Sequence, residues 1–539
     1  MSFRFVLAVL ALSSVIAGPS RAVERARSGV HFEVSGTVYV ESDHVDGKGA
    51  GEQGLAGVAV SNGRQVVRTD EAGRYRIKAA SGDMVFVIKP GGYRLPEGPG
   101  RLPLFWRRIE AGGSHASAGL DFGLLASVEG PDSGLDVLLF ADSQVKSARD
   151  IEYYRKDIVE PLHGTRAAFG LTLGDLVDDR VDLYPQLNAV TATLGIPWFH
   201  VPGNHDIDAN AGDDASSLQA WQAVYGPDTY AIEEGAASFV FLDDVVLLPG
   251  GGGRYVGGLR EEQFEFLQAY LDGLPADRLL VLALHIPLFD TGGRQTFRGA
   301  DRERLFSLLR GRERLLVLSG HSHNQQHYRH GPDDGWSGRE PLHEYNVGAA
   351  CGAFWSGVAG SSGVPDTTMS DGTPNGSGRL TVFEGGRYDL AWSPAPGDGS
   401  APGINDAMAL HAPRVLRRGA YPAWGVYANV FMGEADTRVE YRVDGGQWMP
   451  MRRVERPDPR LVALNVADDL ADSLRAFDRS PEAVDSTHLW RGALPTDLHA
   501  GSHRVEVRAF DRWRGEVGAA IVYRLEDAQE ETTAVRKAH

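Results

Sequence analysis

The sequence predicts an α/β domain set between two all-β regions, on three observations. From about Leu135 to Pro394, apolar strand-like runs alternate with helical stretches, the pattern of an α/β domain. On either side, short alternating segments are separated by turn residues, the signature of β-sandwiches. Glycine accounts for 66 of 539 residues, ~12% against an average near 7%. That excess favours many tight turns over a long helical bundle.

The elements follow in chain order. Arg4 precedes an apolar run from Phe5 to Leu12 that continues to Ile16-Ala17, then Gly18-Pro19 and Ser20-Arg21-Ala22. A basic start, a short apolar core and a small-x-small site form the pattern of a secretory signal peptide. The run is shorter than the ~20 residues that span a bilayer. Residues 1–22 are therefore expected to be a leader, and the mature protein to be exported, periplasmic or secreted, with no transmembrane anchor. Residues 23–127 read as an all-β module: Gly36–Val40 alternates, Ala59-Val60-Ser61 runs into an Asn62-Gly63 turn, and Met84–Ile88 is a core strand. Residues 128–395 form the α/β domain. Asp136–Phe140, Leu279–Leu284 and Leu315–Leu318 are continuous apolar strands, and Leu259, Phe264, Phe266, Leu267 and Leu271 have helical spacing. Residues 396–526 return to strands, with Val505–Phe510 alternating cleanly, and 527–539 are a charged tail.

Composition removes several function classes. The formal net charge is −18, so an extended nucleic-acid partner would approach against the net field and find no basic track. Polymeric nucleic acid is not an expected partner. Cys351 is the sole cysteine, which excludes an intrachain disulfide framework and any Cys-based zinc site.

The chemistry gathers in five short segments at or just after strand ends: Asp142-Ser143-Gln144, Gly174-Asp175-Leu176-Val177-Asp178, Gly203-Asn204-His205-Asp206, His285, and Gly320-His321-Ser322-His323. Residues beyond the carboxyl ends of strands in an α/β sheet converge on one crevice. Asp, Asn and His together offer oxygen and imidazole ligands suited to Mn, Fe, Zn or Ni. Any one segment alone reads as a turn or a hydrogen-bonded structural residue; five in this order on alternating strands do not.

The set resembles the calcineurin-like metallophosphoesterase superfamily, whose pattern is Asp-x-His, Gly-Asp-x-x-Asp, Gly-Asn-His-Asp/Glu, His and Gly-His-x-His. The resemblance implies a central four-layer β-sandwich flanked by helices and two divalent metal ions. It implies that Asp142, Asp175 and His323 hold one ion, with Gln144 where the family usually has His. Asp175 would bridge to a second ion held also by Asn204, His285 and His321. His205 would face the substrate, with Asp206 as its orienting carboxylate. Asp178 fits a supporting carboxylate, and Asp179 reads equally as part of that group or as a solvated helix start. The N-terminal module, through Thr69-Asp70 followed by Gly73-Arg74-Tyr75, resembles carboxypeptidase regulatory-like modules and reads as a folded spacer.

Downstream, His343 to Trp355 and the Met369-Ser370-Asp371-Gly372-Thr373-Pro374-Asn375-Gly376 stretch resemble an exported bacterial subgroup of the superfamily. Trp355, Asp371 and Asn375 are expected either to bind substrate or simply to form core and turns. His327, His330 and His343 are read as structural. The expected activity is hydrolysis of a small or lipid-linked phosphate ester. A phosphodiesterase or nucleotide pyrophosphatase of the same fold, and a non-catalytic envelope binding protein, are the alternatives.

Overall fold

The structure, a computed structural model, describes residues 31–528 except 43–47, 50, 111–118, 128–133, 250–252, 291–295, 397–402 and 476. The expected leader lies outside the described residues, as does all but the first part of the expected tail. No helix among the described residues is long and apolar enough to cross a membrane.

Two mixed sheets form the centre. In the first, the strands run in the order Trp198–Val201, Phe169–Leu173, Leu135–Phe140, Gly376–Val382, Tyr388–Pro394. The first three are parallel and the last two antiparallel. In the second, the order is Thr229–Glu234, Ala237–Leu242, Leu279–Ala283, Leu315–Ser319, Leu342–Asn346, Gln326–His330. Its four inner strands are parallel and its two edges antiparallel. The parallel strands are buried along their lengths, because one face meets the other sheet and the opposite face meets helices. Phe169 meets Phe239 edge-on at 5.1 Å across the sheet interface, and Phe199 meets Phe241 at 5.7 Å. Helix Ala148–Tyr154 covers the outside of the first sheet, where Tyr154 packs on Phe140. Helix Gly299–Leu309 flanks the second, where Phe306 packs on His330.

Residues before Leu135 form two four-stranded sheets. Strand Arg74–Ala79 alternates strictly between exposed and buried positions, as a half-buried strand must. This module shares its apolar core with the central domain: Phe105 sits 5.0 Å from Tyr230, and Phe86 sits 6.0 Å from Phe266 of helix Glu261–Asp272. It is joined to the central domain by side-chain packing as well as by the chain.

Residues from Met408 build a second β-sandwich of a four-stranded and a five-stranded sheet, with its own core around Trp490 and Tyr523. It also carries a helix that the strand pattern did not predict, Pro459–Asp469. Asp458 caps that helix by accepting from the Arg460 amide (2.7 Å), and Pro459 opens it. Only Leu461 of the helix is buried, so there was no apolar stripe to read. The sandwich docks on the central domain through Arg329–Glu434 (2.9 Å), through His488 and Asp371 (3.1 Å), and through Trp513, which lies parallel to His343.

Two buried histidines make this packing sensitive to acid. His200 is 6% exposed, neither ring nitrogen has a partner, and it lies 4.5 Å from Tyr225. Burial pushes its pKa down to about 3, and burial likewise pushes His327, at the C-terminal junction, to about 3. The unfolded value is near 6.5. Between these limits the unfolded chain holds protons that the folded chain refuses, so stability is fully present above pH 6.5 and falls as pH falls. Each histidine contributes about 1.4 kcal/mol per pH unit. Urea unfolding between pH 7.5 and 5 should show His200→Phe with a shallower slope by about one proton; an unchanged slope contradicts the assignment.

Candidate metal centre

The five segments meet because each follows a parallel strand. Asp142 follows Leu135–Phe140, Asp175 follows Phe169–Leu173, Asn204 and His205 follow Trp198–Val201, His285 follows Leu279–Ala283, and His321 and His323 follow Leu315–Ser319. Two glycines let the loops close. A Cβ on Gly203 would lie 2.2 Å from Asp175 Oδ1, and one on Gly174, at φ +84°, would lie 2.4 Å from His285 Nδ1. Side chains at either place would push the ligand atoms apart.

Ligand atoms of Asp175, His285 and His321 all lie within 4.8 Å of one another. His285 Nε2 is 3.3 Å from Asp175 Oδ2, 3.1 Å from Asn204 Oδ1 and 3.2 Å from His321 Nδ1. Its Nδ1–H donates to the Leu173 carbonyl (2.8 Å). In the neutral ring this leaves the Nε2 lone pair aimed into the cluster, the orientation a metal-ligating histidine needs. His323 repeats the device: Nδ1–H donates to the Gly352 carbonyl (2.7 Å), and Nε2 lies 3.6 Å from Asp142 Oδ1. Phe354 stacks on the His323 ring at 4.8 Å.

The backbone around these groups is strained. Asp142, Gln144, Asp175, Asp179, His321, His323, Phe354 and Trp355 all have φ between 38° and 69°. Outside this region only Arg101 and Asp444 do so among the described non-glycine residues. Left-handed conformations cost energy in such residues and gather where surrounding structure enforces them, commonly at functional sites.

The electrostatics call for a cation. Asp142, Asp175, Asp206 and Asp244 are each at most 1% exposed. No lysine or arginine forms an ion pair with any of them among the described residues; the ion-pair partners of Asp142 and Asp175 are histidines. Burial pushes Asp142 up to about 8, against the pull of His285 and with the push of Asp175. Asp244 rises to about 8, again through burial. Burial opposes charge on His285, yet Asp175, Asp142 and Asp244 together raise it to about 10. Burial and the positive His285 drive His321 down to about 3. A mixed carboxylate, amide and imidazole set with no fixed counterion suits divalent transition metals. The residues present therefore fit such ions.

The structure also corrects the expected arrangement. Asp206 does not orient His205. It is buried and accepts from the Gly203 amide (2.9 Å), the Leu176 amide (3.2 Å) and the Tyr184 hydroxyl (3.0 Å), tying two loops together. The carboxylates at His205 Nδ1 are Asp179 (2.9 Å) and Asp178 (3.3 Å). Asp179 is thus a carboxylate of the site rather than a solvated helix start. Gln144 places Nε2 on Asp175 Oδ2 (3.2 Å), while its oxygen faces the Cys351 thiol (3.5 Å), so its amide lies against the Asp175 carboxylate.

Asp371 and Asn375 do not face an open pocket. Asp371 accepts from the Gln325 and Thr373 amides (both 2.8 Å) and lies against His488. Asn375 donates to Asp157 (2.8 Å) and to the Ala350 carbonyl (3.1 Å). Trp355 is 1% exposed and donates from Nε1 to the Ser143 carbonyl (2.9 Å), behind the Asp142 loop. These three residues support the site from within. His327, His330 and His343 stand apart from the cluster: His327 meets His343 (3.0 Å), and His330 meets Glu344 (2.7 Å).

Sequence reasoning missed Asp244, which accepts from the His285 and Ile286 amides (3.0 and 2.9 Å) and fixes the His285 loop. It also missed Phe354 over His323. Asp244 stands at the end of strand Ala237–Leu242, beside the strand that leads to His285, and that adjacency was the available signal.

The chain is similar to known phosphoesterases. Models of the calcineurin-like phosphoesterase family match the chain in three parts: its N-terminal part at residues 43–127, the calcineurin-like phosphoesterase itself at 135–325, and its C-terminal part at 344–516. A probable glycerophosphodiester phosphodiesterase, GpdQ, from Arcobacter nitrofigilis is 25% identical over 204 residues, covering 35% of this chain and 71% of the relative. Among solved structures, the purple acid phosphatase PPD1 from yellow lupin (Lupinus luteus) seeds is 14% identical with a TM-score of 0.38, over 70% of this chain and 68% of that one.

The two carboxylates differ in what their loss costs. Asp206→Ala strands two buried amides and a hydroxyl, and should destabilise the fold by about 3 kcal/mol or more. Asp179 is 68% exposed at its side chain, so Asp179→Ala should cost under about 1 kcal/mol. Urea unfolding of both variants checks this, and equal losses would contradict the assignment.

Proposed function

The chain belongs to the calcineurin-like phosphoesterase family and is a hydrolase of phosphoric ester bonds; from that premise we propose that it uses two divalent metal ions to cleave a small phosphate ester, with a phosphodiester as the favoured substrate. The observation that carries this reading is the convergence of Asp175, His285 and His321 within 4.8 Å at the ends of parallel strands, with Asp142 and His323 beside them. Asp175 would bridge the two groups. Asn204, His285 and His321 would complete one side, and Asp142 and His323 the other. Ions held there would stabilise charge on the phosphoryl oxygens and activate water at neutral pH.

The chain's own residues do the rest. His205 carries a raised pKa: partial burial opposes its charge, but Asp175, Asp179 and Asp178 outweigh that. With Nδ1 held by Asp179, the opposite ring nitrogen is the one to meet substrate and protonate the departing oxygen. The relative described as a probable glycerophosphodiester phosphodiesterase favours a diester. The net charge of −18 disfavours polymeric nucleic acid. Residues 1–22 have the composition of an export signal, so the proposed compartment is the periplasm or the exterior; the N-terminal sequence of the mature protein would test it.

Chelation should abolish hydrolysis, and a transition metal such as Mn or Zn should restore it; full activity in metal-stripped protein would overturn the reading. Asp175→Ala should lose metal as well as activity. His205→Ala should keep its metal and lose ~10²–10⁴ in rate, the scale of a general-acid contribution. Metal analysis beside kinetics separates the two roles, and equal metal loss in both would contradict them.

A further inference from the structure

The Phe354 ring that stacks on His323 also begins a cleft of about 710 Å³, whose opposite wall belongs to the C-terminal domain. That wall is helix Pro459–Asp469 and the segment after it, Asp478 to Ala483. The volume exceeds what a phosphoryl group needs and lies within the ~300–1,000 Å³ of organic-ligand sites.

The wall is built in place. Asn465 accepts from the Ala483 amide (3.0 Å) and donates to the Pro481 carbonyl (2.7 Å), and the Ser480 amide donates to Asp468 (3.0 Å). Phe477 is held to the central domain beneath Lys146 and Arg149, within 6 Å of its ring. Ser356, 6% exposed, also lines the cleft.

The lining also has a sign. Arg479 pairs with Asp469, while no ion pair among the described residues engages Asp478 or Glu482. The lining thus sets three carboxylates, Asp469, Asp478 and Glu482, against the one guanidinium of Arg479, and this negative balance beside an aromatic ring repels a second anion and attracts an ammonium group.

We propose that this cleft is the subsite for one organic group of the phosphodiester, completed by the C-terminal domain, and that it takes an ammonium-bearing alcohol in preference to an anionic or neutral one. The inference rests on the metal-dependent phosphodiesterase reading above. It gives the C-terminal sandwich a role in choosing substrate.

The test compares p-nitrophenyl phosphorylcholine with bis(p-nitrophenyl) phosphate, using the full-length, metal-loaded enzyme and the Asp478→Asn/Glu482→Gln double variant. The wild type should favour the choline ester in kcat/KM. The variant should lose about fivefold or more of that ratio, mainly through KM for the choline ester, with its metal content unchanged. Equal ratios in wild type and variant, with both esters turned over, would overturn the subsite and leave the phosphodiesterase reading standing. Turnover of neither ester after metal loading would overturn that reading and the subsite with it.

Discussion

Everything at this site depends on burying carboxylates without a lysine or arginine to neutralise them. Asp142, Asp175, Asp206 and Asp244 lie within the loops at the ends of the parallel strands, each almost fully sealed from solvent. A buried, uncompensated carboxylate is costly unless it is protonated, hydrogen-bonded or given a cation. The fold divides these solutions. Asp206 and Asp244 are satisfied by backbone amides and serve as structural pins. Asp142 and Asp175 have oxygens facing imidazoles, which supply a full counter-charge only by binding a proton. A divalent ion removes the conflict, freeing the imidazole lone pairs while it compensates the acids.

That constraint explains the surrounding architecture. Gly174 and Gly203 stand where a Cβ would strike His285 or Asp175. The left-handed backbone at Asp142, Asp175, His321 and His323 turns side chains inward immediately after their strands. Such strain persists only where the structure around it is rigid. Two sheets packed through Phe169, Phe199, Phe239 and Phe241 provide that rigidity. The N-terminal module adds to it through Phe105 against Tyr230, and the C-terminal domain is tied to the loops behind the site through His488 and Asp371.

The ligand-bearing segments were legible because their chemistry and their position coincide: unusual residue types directly after continuous apolar strands. The partner of His205 was not. Asp178, Asp179 and Asp206 are all carboxylates next to motif residues, and only the tertiary path of the loops buries Asp206 under Tyr184 while leaving Asp179 beside the imidazole. Asp371 and Asn375 misled for a related reason. A turn rich in hydrogen-bonding side chains looks the same in sequence whether it faces ligand or, as here, Gln325, His488 and Asp157. Helix Pro459–Asp469 escaped because Val462 and Val466 are exposed, so its apolar residues do not mark one inward face.

The central claim is that two ions share Asp175. Anomalous X-ray scattering from crystals grown with manganese tests it most directly. The account predicts two peaks ~3.5–4 Å apart, with Asp175 between them, His285 and His321 on one, and Asp142 and His323 on the other. A single peak, or two peaks with Asp175 bound to neither, would contradict it.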